Sequence, residues 1–149
     1  MSKTPKKKKS PSRTRSRRLA MQAIYQWSMN KDAPVAEIEK QFAEDQEMQG
    51  ASFEYFSQLI RGVVEHDEEL SGLLNGCVSR PLDEIDPVER AVLLIAAYEF
   101  KHVPSVPYRA VINEAVELTK DYGAEAAYKF INGALDKLAG ELRAVEKSA

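Results

Sequence analysis

"DPVERAVLLIAAYEF", Asp86 to Phe100, decides the fold of this chain. Asp86 stands as an N-cap, Pro87 takes the first helical position, and Glu89 follows three residues after the cap, a combination that starts a helix. From Ala91 to Tyr98 every residue is apolar. A helix without a polar face has to be covered on several sides, so the spacing predicts a central helix packed by neighbours. The run is far shorter than the roughly 20 residues of a membrane span, and no membrane association is expected.

The flanking sequence reads as further helices. "VPSVP" from Val103 ends the central one, and Pro107 opens the next, with Val111, Ile112, Ala115, Val116 and Leu118 inward and Gly123 as the stop. The last helix is expected from about Ala124, with Phe130, Ile131, Ala134, Leu135 and Leu138 at helical spacing. Asn132-Gly133 lies inside it. That pair usually marks a hairpin, but its apolar neighbours do not alternate, so the helix stands and Gly133 reads as a point of close packing.

Upstream, Leu19, Ala23 and Trp27 recur at intervals of four, flanked by Ala20 and Ile24, while Arg18, Gln22 and Gln26 form a polar stripe. Asp32 and Pro34 start a second helix with Val35, Ile38 and Phe42 inward and Glu37, Glu39 and Lys40 outward. Ser52 caps a third, which carries Phe53, Phe56, Ile60, Val63, Leu70 and Leu74 as far as Gly76. No alternating β-branched run appears. Residues 13–149 are expected to form a single all-α domain of about six or seven helices, behind a disordered basic extension at 1–12.

The 149 residues are 44% apolar, enough for one core without a staple, and Cys77 has no partner for a disulfide. With no secretory pattern at the start, the chain reads as cytoplasmic. The formal net charge of -2 hides a strong asymmetry. Residues 1–18 hold nine cations and no anion, including Arg13, Arg15, Arg17 and Arg18. The remainder holds 12 cations against 23 anions, a net of -11. A basic arm on an acidic body is either a solvating tail or a phosphate-binding segment, the acidic body then discouraging nonspecific spreading.

Arginine can grip phosphate bidentately and stack on bases. Tyr25, Tyr122, Tyr128 and Phe130 offer faces for unpaired bases, although Tyr25 and Phe130 also fit core positions. Catalytic chemistry has no foothold. His66 and His102 lack metal-ligand spacing with Cys77 or with each other, and the carboxylates at 65–69 and 83–86 suit helix faces and caps. Neither a phosphate loop nor a nucleophile elbow is present, so no cofactor, metal or catalytic residue is expected.

"RRLAMQAIYQW" at Arg17–Trp27, "VERAVLLIAAYEF" at Val88–Phe100, "VPYRAVINEAVELTKDYG" at Val106–Gly123 and "KFINGALDKLA" at Lys129–Ala139 together resemble the NusB family of bacterial transcription antitermination factors. The resemblance runs from Arg13 to Leu138 and implies a NusB-like fold of two packed small helical bundles. It also implies a noncatalytic protein that binds the boxA element of nascent ribosomal RNA together with NusE, a small-subunit ribosomal protein, in an assembly with NusA, NusG and RNA polymerase. On this resemblance the RNA-binding candidates are Arg13, Arg15, Arg17 and Arg18, and Tyr122, Gly123, Glu125, Lys129 and Phe130 near the last helix; Gln22 on the polar stripe and Tyr25 as a stacking ring are added as candidates along the first helix. Glu89 is the candidate contact to NusE. Related helical domains accompany ribosomal RNA methyltransferases, but a chain ending at Ala149 is expected to hold no such catalytic unit.

Overall fold

A computed structural model describes residues 12–149, and apart from Ser12 the expected disordered extension lies outside them. The described residues form eight α-helices: α1 (Arg13–Met29), α2 (Val35–Ala43), α3 (Phe53–Glu65), α4 (Asp67–Asn75), α5 (Pro87–His102), α6 (Tyr108–Tyr122), α7 (Ala127–Leu142) and α8 (Ala144–Ser148). Single 3-10 turns precede α3 and α5, and no helix among these residues is long and apolar enough to cross a membrane. Helices α1 to α3 pack together on one side, α4, α6 and α7 gather on the other, and α5 touches both groups.

The central role expected of α5 holds. Asp86 accepts hydrogen bonds from the Val88 and Glu89 amides at 2.9 and 3.3 Å, and Ala91 to Phe100 are buried without a break. One continuous core joins Leu19, Ile24, Phe56, Leu59 and Leu70 to Leu93, Ile131 and Leu135. Gly62 of α3 lies under the Tyr98 ring of α5, where even one added carbon would collide with it.

Several expectations change. The third helix is two, because the chain kinks at His66 and restarts as α4. Asp67, Glu68 and Glu69 fill the new first turn, where carboxylates meet the positive end of the helix dipole. A short α8 follows α7, which itself begins at Ala127, after Ala126 has taken a left-handed φ of 64°. Gly133 is exposed and faces open space, so it is no close-packing point. Glu39, expected outward, is buried against Ser57 and Arg61, while Phe53, expected inward, is 40% exposed.

Arg143 explains why the chain turns after α7. Its buried guanidinium donates to the carbonyls of Glu99, Phe100, Val103 and Val106 at 2.8–3.1 Å. Carbonyls at a helix C-terminus have no partner within the helix, and this one side chain gathers those at the end of α5 and in the turn beyond it.

Candidate nucleic-acid interface

The arginine-rich segment is the helix itself rather than a tail leading to it. Ser12 caps α1 by accepting from the Arg15 amide at 3.1 Å, and its own amide donates to Gly50 O at 2.7 Å. Ser16 Oγ donates to Ser52 O and accepts from the Ser52 amide at 2.8 Å, and Arg15 donates to Gln49 O at 2.8 Å. The first turn of α1 is thereby stitched to the loop before α3. Gly50 has a φ of 84° and lies directly against the Arg15 guanidinium, a conformation and a clearance that favour glycine.

The four arginines divide by direction. Arg13 and Arg15 are exposed, and Arg18 is half-buried, 3.9 Å from Glu47. Arg17 is 5% exposed and turned into the core, which corrects its expected place on the RNA-facing side. It forms a two-pronged ion pair with Glu99 at 2.8–3.0 Å and lies 3.4 Å from Glu114. Tyr55 donates to the same Glu99 carboxylate, and Arg13 stacks over the Tyr55 ring at 4.2 Å. Burial, with the charge of Glu99 and the hydrogen bond to it, pushes the Tyr55 phenol far above its usual range, so it remains a donor. Arg17 therefore fixes α1 to α5 and supplies no free cation.

Arg15, Arg18, Gln22 and Tyr25 follow one another at intervals of three, four and three, which places them on one face of α1. Tyr25 is 40% exposed and Gln22 half-buried. Beside the start of this face lies a groove of about 130 Å³ between α1 and α6, lined by Ser12, Thr14, Arg15 and Arg18 on one wall and by Glu114, Glu117, Leu118 and Asp121 on the other. Thr14 donates to Glu114 across it at 2.6 Å. Sequence reasoning missed this acidic wall, although Glu114, Glu117 and Asp121 keep helical spacing.

Asp121 brings the end of α6 to the groove, and Tyr122 follows it, 44% exposed. Gly123, Glu125, Lys129 and Phe130 lie outside the groove lining, on the α6–α7 loop and the first turn of α7. Glu125 and Lys129 are exposed, and Phe130 packs partly on the core. Glu89 is 5% exposed and accepts from the Ala124 amide at 3.4 Å. It holds the α6–α7 loop instead of presenting a free carboxylate, a correction to its expected role as a surface contact.

The family model described as the NusB family matches residues 14–140. The chain is 47% identical to a transcription antitermination protein NusB of Paraburkholderia phymatum, over 92% of this chain and 94% of that one. It is likewise 47% identical to the protein of the same name from a Marinomonas species, over 97% and 87%. Among solved structures, NusB of T. maritima superposes with a TM-score of 0.80 at 28% identity, covering 95% of this chain and all of that one. A chain from a crystal structure of the antitermination factors NusB and NusE with double-stranded RNA superposes with a TM-score of 0.72 at 26% identity, over 87% and 96%.

Proposed function

The chain belongs to the NusB family of transcription antitermination factors, which are not enzymes, and from that premise we propose that it binds the boxA element of nascent ribosomal RNA together with NusE. The observation that carries this reading is the ordered face of α1 with Arg15 and Tyr25 exposed and Arg18 and Gln22 half-buried, joined by exposed Arg13, on a fold shared with a NusB that has been crystallised with NusE and RNA. Cations held at the start of a capped helix contact phosphate, and the tyrosine ring offers a stacking platform for an unpaired base. Tyr122, Gly123, Glu125, Lys129 and Phe130 extend the surface toward α7, and the acidic wall of the groove repels phosphate and confines its path. Glu89 enters only by holding the loop.

The net -11 of residues 19–149 suits a basic ribosomal protein, and the pair then joins NusA, NusG and RNA polymerase in the cytoplasm. The test is binding of a boxA-containing RNA and a scrambled RNA of equal length, with and without NusE, at one fixed near-physiological salt concentration. Preference for boxA that strengthens with NusE is expected, and Arg18→Ala and Tyr25→Ala each reduce it. Equal binding of both RNAs, indifferent to NusE, would leave the arm as a general phosphate clamp.

A further inference from the structure

Away from the α1 face, three side chains that the RNA reading does not use meet where α3 and α5 end and α4 begins. His66 is the residue between α3 and α4, Glu69 lies one turn further on α4, and His102 is the last residue of α5. The His66 and His102 rings stack with centroids 4.3 Å apart, and His102 Nε2 is 3.3 Å from Glu69 Oε1. One donor atom from each of the three lies within 4.8 Å of the others. The Tyr98 ring lies 5.1 Å from the His102 ring and 6.4 Å from the His66 ring, backing the pair with an apolar wall.

We propose that His66, Glu69 and His102 form a binding site for a divalent late-transition-metal ion of the zinc type, with water completing its coordination. Two imidazoles and one carboxylate, with the remaining position left to water, are a donor set that such ions take, and oxygen-preferring magnesium or calcium does not match it. Around a tetrahedral zinc, bonds of about 2.0–2.1 Å hold neighbouring donor atoms about 3.3 Å apart. The His102–Glu69 edge already has that length. The other two edges are no longer than 4.8 Å, and the half-exposed His66 ring has to leave its stack on His102 to turn a nitrogen toward the ion.

The competitor is Lys101, whose ammonium lies 3.5 Å from Glu69 Oε1. Its side chain is 38% exposed, so it can swing into water and release the carboxylate. The site joins the α3–α4 kink to the C-terminus of α5, so an ion bound there stabilises the folded chain through mass action.

The experiment titrates the full-length, metal-free protein with zinc at pH 7.5 against a chromophoric chelator, and with cobalt to read the visible absorption of a low-coordinate N/O site. One ion per chain is expected. Glu69→Gln, a change at an exposed position, weakens binding tenfold or more, and His66→Ala and His102→Ala weaken it further, while Cys77→Ser leaves it unchanged. Zinc raises the Tm of the wild-type chain by more than that of Glu69→Gln at the same zinc concentration. Circular dichroism checks that each variant is folded. Stoichiometric binding that survives in folded Glu69→Gln and His102→Ala, or no binding at a tenfold excess of zinc, overturns the assignment.

Discussion

Arg17 and Arg18 are neighbours in sequence with opposite roles, because consecutive residues of a helix point about 100° apart. Arg17 falls three residues before Ala20 and four before Met21, on the buried stripe, and that periodicity was legible. Its partner was also signalled, since Glu99 sits in a helix that is otherwise apolar all round, and a buried carboxylate must be paired. What the linear sequence hides is that the two meet across 82 positions. Arg17→Ala leaves Glu99 buried and unpaired, and is expected to lower stability by about 3–5 kcal/mol. Arg13→Ala, at an exposed position that gives up only a stack on Tyr55, is expected to change stability by no more than about 1 kcal/mol but to weaken RNA binding. Urea unfolding of both variants checks the contrast, and equal midpoints would mean that water already reaches Glu99.

Elements with strong end signals were read correctly, and elements held by distant partners were not. The aspartate before α5, the proline that opens it and the serine before α3 act locally, so sequence reveals them. The kink at His66 was hidden because Val63 and Leu70 keep helical phase across it. Helix α8 was hidden because its anchor, Arg143, finds its carbonyl partners some 40 residues away. Two glycine substitutions separate packing from propensity. Gly133→Ala, in an exposed helix interior with open space, is expected to stabilise by up to about 1 kcal/mol, whereas Gly62→Ala is destabilising because Tyr98 occupies the space. Thermal unfolding distinguishes them by sign.

The docking of α8 is expected to depend on acidity. The hydrogen bond from the Tyr108 amide and the contact with Arg143 hold the Glu146 carboxyl below its usual range. A depressed carboxylate stabilises the folded state above its unfolded pKa and loses that contribution as pH falls through the folded value. The protection of the α8 and Tyr108 amides, relative to their intrinsic exchange at each pH, should therefore fall below the ordinary carboxylate range, ahead of protection in α5. Simultaneous loss of protection throughout the molecule would argue that Glu146 is not the group responsible.

For the molecule as a whole, helical content, the central α5 and the basic-to-acidic asymmetry were legible, whereas the distribution of cations around α1 became visible only once the helices were packed. On the proposed reading that distribution is expected to set the salt dependence of RNA binding. For single-stranded RNA, every phosphate that the protein no longer neutralises lowers the magnitude of the log-log slope by about 0.7. The double variant Arg15→Ala, Arg18→Ala is therefore expected to lower it by about 1.4, and a slope equal to that of wild type would remove this face from the interface. The stitching of Ser12 and Ser16 to the loop at 50–52 carries a further consequence. On the proposed reading the RNA meets a first turn of α1 that is already formed, and no coil-to-helix transition is expected there. The far-ultraviolet ellipticity should stay constant through the titration, and the heat capacity of binding should lack the large negative component of coupled folding.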